Sequence, residues 1–114
     1  MQDCLFCKIV AGEVPCQKVY EDKLTLAFHD IDKKAPEHIL IVPKKHIESV
    51  LGINRDNQDY LLAMFAAAQK ISDAKGMDRK GFRLVLNTGE EGGQTVFHLH
   101  MHLLGGRQME WPPG

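Results

Sequence analysis

The chain has 114 residues, of which 44% are hydrophobic and 25% charged, a composition typical of a soluble globular domain. Its formal net charge of −1 lacks the basic excess of nucleic-acid-binding proteins, so we expect no nucleic-acid partner. No apolar run reaches the ~18 residues of a membrane-spanning helix, and Asp3 and Lys8 interrupt the segment where a signal peptide would begin. We therefore expect one cytoplasmic domain over residues 1–114, with no membrane partner.

The hydrophobic pattern predicts a short helix, a long helix and five strands. In chain order these are the helix Cys4–Ala11, the strands Lys18–Glu21, Leu24–Asp30 and His38–Val42, the helix between Asn54 and Gly76, and the strands Phe82–Asn87 and Val96–Leu104. Within the long helix, Leu61, Met64, Phe65 and Ala68 follow the spacing of an amphipathic face, which we expect to pack against the sheet.

The strands are segregated from the helices rather than alternating with them, which favours an α+β fold with an antiparallel sheet. Asn54 or Asp56 suits the start of the long helix, and Gly76 suits its end. A chain of this length buries roughly 65% of its unfolded surface, which leaves a sheet edge or an apolar face to be covered. We expect a homodimer to cover it.

The segment after the last turn carries His98, His100 and His102 at alternate positions. Successive side chains of a strand point to opposite faces, so the three imidazoles are predicted to share one face. The intervening Leu99 and Met101, with Leu103 after them, are predicted to enter the core from the other face. Such a row of imidazoles indicates chemistry rather than stability.

Two kinds of chemistry compete for these histidines. A metal ion could use imidazole ligands, but the outer two residues of the row lie ~13 Å apart on a strand. Ligand bonds of about 2 Å cannot easily span that distance, so one ion could take two of them and a third ligand from another segment. Nucleophilic catalysis on phosphorus uses all three positions: a central nucleophile has a hydrogen-bond donor on each side. We favour this second interpretation.

Other segments suit a phosphate pocket. The glycine-rich turn Gly89–Thr95 can direct backbone N–H groups and the Thr95 hydroxyl at an anion, although such turns are ordinary in hairpins. Asn87 could be a ligand or a turn residue. Asp30 ends a strand and could accept from two sugar hydroxyls, or it could serve only the turn that follows.

Residues 98–104 resemble the His-φ-His-φ-His-φ-φ signature of the histidine triad superfamily, in which φ is an apolar residue. The similarity extends to the segments 27–31, 35–38 and 41–47, while 92–95 and the C-terminal segment 104–114 resemble the Hint branch. The resemblance implies a five-stranded antiparallel sheet continued across a homodimer. It also implies hydrolysis of adenosine or guanosine 5′-monophosphoramidates without a cofactor.

The resemblance also implies roles for individual residues. His100 would be the nucleophile that forms a nucleotidyl-imidazole, His102 would contact the phosphate, and His38 with His98 would complete a proton network. The resemblance further implies the substrate-binding residues. Asp30 would bind the ribose hydroxyls. The phosphate and its leaving group would contact Asn87, Gly93, Gln94 and Thr95, and the base would lie among Phe6, Ile9, Phe28 and Ile31.

The chain ends in an aromatic and proline-rich segment that includes Trp111. An exposed tryptophan leaves much apolar surface in water, so this end either docks on the protein or serves a site. In the Hint branch such an end lies near the neighbouring protomer's substrate. We therefore count Trp111 among the substrate-binding residues.

Cys4 and Cys7 are one helical turn apart and could face one metal ion. Some members of the superfamily hold structural zinc with such a pair and two histidines, which here would be His46 and His98. The alternative is that two small apolar thiols pack under a short helix. Cys16 is the third cysteine of the chain. Because the number is odd, we expect no disulfide framework.

Three other functions remain open. A dinucleoside polyphosphate hydrolase of the same superfamily is disfavoured by the segment Gly105–Gln108. A metallohydrolase would lose activity with a chelator. A nucleotide-binding interaction protein with vestigial activity would bind purine nucleotides without turning them over.

Overall fold

A five-stranded antiparallel sheet, in the order β1-β2-β3-β5-β4, organises the computed structural model, which describes residues 3–114. The elements in chain order are α1 (Leu5–Val10), β1 (Lys18–Glu21), β2 (Thr25–His29), β3 (Glu37–Pro43), a 3-10 turn (Val50–Gly52), α2 (Gln58–Ala74), α3 (Met77–Lys80), β4 (Arg83–Val85) and β5 (Met101–Gly105). The predicted α+β class and antiparallel sheet are confirmed. Within residues 3–114, no helix combines the length and the apolar character needed to cross a membrane.

The central strand β3 and its neighbour β2 are apolar on both faces, so the sheet has a core on each side. One face packs against α2 and the other against α1, as the alternation of side chains requires. On the α2 side lie Ala27, Ile39, Ile41, Met64, Ile71, Leu99, Met101 and Leu103. On the α1 side lie Phe6, Ile9, Leu26, Phe28, Leu40 and Val42.

The long helix differs from its prediction at its start and on one face. Its N-cap is Asn57, which is buried, and the Asn57 side-chain amide donates to the Gly52 carbonyl over 2.9 Å. Gly76, with a φ of +71°, follows the C-cap Lys75 and ends α2 as predicted, and the unpredicted helix α3 begins directly after it. Met64 and Ala68 are buried as predicted, whereas Phe65 is 40% exposed and lies outside the core.

The two C-terminal strands are shorter than their patterns predicted. β4 covers only Arg83–Val85, and β5 begins at Met101 rather than Val96. Ahead of β5, the Leu99 amide donates to the Ile47 carbonyl over 2.6 Å. That bond and a side-chain bond of His100 replace ladder pairing here. Leu99 and Met101 still alternate into the core as predicted.

Candidate active site

A cavity of about 620 Å³ opens between α1, the loop that follows it and the α1 side of the sheet. Its apolar part is lined by Phe6, Ile9, Phe28, Leu40 and Val96. Its polar part is lined by Asp30, His38, Asn87, Thr95, His100 and His102. A largely apolar cleft with a few convergent polar groups is typical of a small-molecule site.

His38 and His102 form a hydrogen-bonded pair whose tautomers follow from their partners. The Lys34 backbone amide donates to His38 Nδ1 over 3.0 Å, so His38 carries its proton on Nε2. That nitrogen lies 2.9 Å from His102 Nδ1 and 3.3 Å from Asp30 Oδ2. His102 Nδ1 therefore accepts, and the His102 proton is on Nε2. His102 Nε2 is buried without a hydrogen-bond partner among the described residues.

The ring of His100 has the opposite arrangement. His100 Nδ1 donates to the His98 carbonyl over 2.7 Å, because a carbonyl oxygen can only accept. His100 Nε2 is therefore left with a lone pair. The ring is only 7% exposed, and its centroid lies 5.1 Å from that of Phe6 and 5.0 Å from that of His102. Packing against two rings holds it at the junction of the apolar and polar parts.

Burial keeps the paired imidazoles neutral at pH 7. The pKa of His102 is lowered to about 4, chiefly by burial and also by the neighbouring His100 and His38, while Asp30 opposes the shift. Burial also lowers the pKa of His38, although Asp30 and Asp32 oppose that shift. His102 thus presents a neutral N–H donor to the cavity.

Asp30 has the turn role that its sequence left open, and its carboxylate also lines the cavity. Its Oδ1 accepts from the Asp32 amide over 2.9 Å, which forms the turn after β2. Its Oδ2 faces His38 Nε2 at 3.3 Å. The carboxylate also lines the cavity, where it is available to a polar ligand.

The glycine-rich turn contributes less to the cavity than the pattern suggested. Thr95 and Asn87 line it, as Ile31 also does with a side chain that is 99% exposed. Gly93 and Gln94 do not line it. The Gln94 side chain accepts from the Gly89 amide and donates to two backbone carbonyls, so its amide holds the loop together.

Trp111 also lies away from the cavity of its own chain and is 83% exposed. The residue that ties the tail near it to the sheet is Arg83, whose Nη2 donates to the Glu110 carbonyl over 2.9 Å. Any contact of Trp111 with substrate requires a second copy of the chain or a movement of this tail.

His98 does not share the cavity with His100 and His102, so the predicted common face divides into two sites. His98 Nε2 donates to the Pro43 carbonyl over 2.9 Å, which leaves Nδ1 as an acceptor. His98 Nδ1 lies 3.3 Å from Cys4 Sγ and 3.6 Å from Cys7 Sγ. His98 lies on the α1 side of the sheet like His100, since the Phe6 ring packs against both, but its ring reaches the cysteines rather than the cavity.

His46 completes a compact set of four potential metal ligands. His46 Nδ1 lies 3.3 Å from Cys7 Sγ, and one donor atom from each of Cys4, Cys7, His46 and His98 lies within 4.8 Å of the others. Two thiols and two imidazoles are a donor set of structural zinc sites. The bond from His98 to a carbonyl is the kind of outer contact that orients a ligand histidine. The residues therefore fit the metal that the resemblance implies.

Sequence reasoning missed the backbone groups that set up both sites. The Lys34 amide and the carbonyls of Pro43 and His98 decide which ring nitrogens carry protons. Leu40 and the loop that contains Cys16 also line the cavity unpredicted. Every residue has a backbone carbonyl, and every residue except proline has a backbone N–H. No side-chain pattern could therefore have indicated these roles.

Together, the fold and the cavity define an α+β protein with a histidine-based small-molecule site. The sequence model of the HIT domain family matches residues 11–109. The chain therefore belongs to the HIT domain family.

One relative compared by sequence and two solved structures agree with this membership. The chain is 43% identical over 108 residues to the purine nucleoside phosphoramidase of Escherichia coli (strain K12), covering 95% of this chain and 91% of that protein. The crystal structure of a HIT family hydrolase from Legionella pneumophila Philadelphia 1 superimposes with a TM-score of 0.95 at 52% identity, covering 98% of this chain and 100% of that one. The histidine triad nucleotide-binding protein of Candida albicans gives a TM-score of 0.84 at 32% identity, covering 96% and 83%.

Proposed function

We propose that this protein hydrolyses the P–N bond of adenosine or guanosine 5′-monophosphoramidates, with His100 as the nucleophile. The observation that carries the proposal is the bond from His100 Nδ1 to the His98 carbonyl, which leaves the Nε2 lone pair on a buried ring at the cavity. The 43% identity to a purine nucleoside phosphoramidase supports the choice of substrate.

The two parts of the cavity match the two parts of such a substrate. A purine has an apolar face that suits Phe6, Ile9 and Phe28, and the ribose hydroxyls are donors that suit the Asp30 carboxylate. The phosphate then lies at the histidine end, near the N–H of His102. Ile31 extends the apolar part at the rim of the cavity.

In the first step His100 Nε2 attacks phosphorus, a new N–P bond forms, and the substrate P–N bond breaks with its electrons passing to the amine. The amine leaves after taking up a proton from solvent water. The His102 N–H donates to a phosphate oxygen as negative charge develops there. The nucleotidyl-imidazole is cationic, and the His98 carbonyl 2.7 Å from His100 Nδ1 stabilises that charge.

In the second step water attacks the same phosphorus and releases a proton to the solvent. The N–P bond to His100 breaks, a nucleoside monophosphate leaves, and the imidazole regains its lone pair. His98 acts here through its backbone carbonyl, and its side chain belongs to the cysteine cluster. His38 acts through His102: it donates to His102 Nδ1 and so keeps the proton of the His102 ring on Nε2.

Zinc bound by Cys4, Cys7, His46 and His98 is part of the proposal. The metal would tie α1 to the segment ahead of β5, because these ligands come from widely separated parts of the chain. Its contribution would be structural, and the hydrolytic steps above use no metal. α1 in turn supplies Phe6 and Ile9 to the cavity.

A homodimer is also part of the proposal. β4 is an edge strand of the sheet, and the long helix α2 exposes Leu62 by 70% and Phe65 by 40%. Unpaired sheet edges and exposed apolar side chains are features that association covers. Light scattering coupled to size-exclusion chromatography should give twice the chain mass, and a monomer at micromolar concentration would contradict this.

The decisive experiment is hydrolysis of adenosine 5′-phosphoramidate by chelator-treated protein, with His100→Asn assayed beside it. We expect full turnover in chelator and a loss of at least about 10³-fold in the variant, as for other essential nucleophiles. A matched urea unfolding curve would check that His100→Asn remains folded.

The same assay separates the other candidate functions. Turnover lost with the metal in protein that stays folded would favour a metallohydrolase. A diadenosine polyphosphate split faster than the phosphoramidate would favour the related hydrolase. AMP binding without turnover of either compound would favour a nucleotide-binding protein, as the name of the Candida albicans relative describes that protein.

A further inference from the structure

Arg107 lies two residues after the end of β5 and joins the C-terminal segment to the loop that follows β2. Its Nε and Nη2 both donate to the Lys34 carbonyl, over 3.2 Å and 3.0 Å. The preceding Gly106 has a φ of +91°, and a Cβ built there would lie 2.8 Å from Pro36 Cβ. A glycine at 106 thus permits the close approach of the two segments that brings Arg107 to Lys34.

Lys34 is also the residue whose amide donates to His38 Nδ1. The Lys34 amide and carbonyl lie in successive peptide planes joined at one Cα, so a carbonyl held by two guanidinium donors limits how far the amide can move from His38 Nδ1. The loop residues Ile31, Asp32 and Lys34 are exposed, and the Lys34–Asp32 ion pair is internal to the loop. Arg107 therefore provides an anchor to the sheet from outside this loop.

From this chain of contacts we infer that Arg107 is a positioning residue, which keeps the protons of His38 and His102 on their Nε2 atoms by holding Lys34 in place. Without the anchor, the Lys34 amide leaves His38 Nδ1, and the alternative tautomer with a proton on Nδ1 becomes accessible. His38 Nε2 then accepts from His102 Nδ1, and His102 Nε2 presents a lone pair to the phosphate.

The expected change is partial rather than complete. The Asp30 carboxylate, 3.3 Å from His38 Nε2, still favours a proton on that atom. We therefore expect a mixture of tautomers in Arg107→Met. The kinetic part of the inference rests on the proposed function, whereas the tautomers themselves do not.

The first test measures imidazole ¹⁵N chemical shifts in ¹⁵N-histidine-labelled full-length protein without substrate, at about pH 8, where ordinary histidines are neutral. Wild type should have His38 and His102 protonated at Nε2. Arg107→Met should shift both rings toward mixed tautomers. Arg83→Met is the matched control, because Arg83 also donates to a carbonyl of the C-terminal segment but not to Lys34, and it should keep the wild-type tautomers.

The second test is kinetic. We expect kcat for the phosphoramidate to fall on the order of tenfold in Arg107→Met, the effect of losing about one favourable hydrogen bond at the phosphate. Arg107→Lys, with a single ammonium donor, should give an intermediate tautomer ratio and an intermediate kcat. It also serves if the methionine variant fails to fold.

Wild-type tautomers in both Arg107 variants would overturn the inference, as would equal shifts in the Arg83 control or an unchanged kcat despite shifted tautomers. If wild type hydrolyses no phosphoramidate, the proposed function fails, yet the tautomer measurement still decides the role of Arg107.

Discussion

His38 Nε2 lies 2.9 Å from His102 Nδ1, and one proton lies between the two rings. The proton belongs to His38, because the Lys34 amide occupies the other nitrogen of that ring. His102 consequently directs an N–H into the cavity while staying neutral. The pair is the part of the site whose properties can be tested without any substrate.

The first prediction concerns stability against pH. The pKa of His102 is about 4 in the folded protein, whereas an unfolded chain has ordinary histidines of pKa ~6.5. Between these values the unfolded state binds more protons, so stability is present above about pH 6.5 and is lost as the pH falls toward 4. We expect His102→Asn to lose less stability over this interval than wild type does.

Urea unfolding at several pH values between 8 and about 4 measures this difference. Burial lowers the pKa values of His38 and His98 too, so both proteins should retain some acid sensitivity. The difference in slope between the two proteins isolates His102. Parallel curves would contradict a neutral, buried His102.

The second prediction concerns the ribose. Asp30→Asn keeps an oxygen for the Asp32 amide but loses the charge that would accept from two hydroxyls. We expect kcat/KM for the ribonucleoside phosphoramidate to fall about tenfold, the value of a charge-assisted hydrogen bond, with a smaller fall for the 2′-deoxy analogue. Asp32→Asn at the cavity rim is the control. Equal losses for both sugars would mean that Asp30 acts only through His38.

The third prediction concerns zinc. Elemental analysis of untagged protein from zinc-supplemented cells should find close to one zinc ion per chain, the stoichiometry of a single site of this kind. Cys4→Ser and Cys7→Ser should lose the metal and melt at lower temperature, whereas Cys16→Ser should not, because Cys16 lies outside the cluster. Wild type without zinc would end the idea.

The fourth prediction concerns the C-terminal tail, residues 108–114. Its removal deletes the Arg83 bond to the Glu110 carbonyl and an exposed Trp111, so the free energy of unfolding should change by no more than about 1 kcal/mol. We expect substrate preference to change more than stability, because in the proposed dimer we expect the tail to lie near the substrate of the second protomer. Kinetics measured with several amine leaving groups would decide, and identical profiles for both chains would contradict the prediction.

Much of the site could be predicted, because its residues lie in segments with strong local patterns. Asp30 and His38 stand at opposite ends of the turn between two apolar strands, and antiparallel pairing brings such ends together. The apolar lining at Phe6 and Phe28 follows from the helix and strand that carry them. The exposure of Phe65 could not be predicted. Helical spacing shows which residues share a face of the helix, but it does not show how much of that face the sheet covers.

The sequence by itself determined the sheet, the long helix and the alternation of Leu99, Met101 and Leu103 into the core, since periods of two and 3.6 residues are local properties of the chain. The resemblance already grouped His98 with the cysteines, but only the tertiary structure placed its side chain outside the cavity that His100 and His102 line. The reason is that backbone carbonyls fix each ring. The Pro43 carbonyl, distant in sequence, accepts from His98 Nε2 and so selects the direction of that ring and its protonated nitrogen. Those partners are backbone atoms, and they acquire their roles only when the chain is folded.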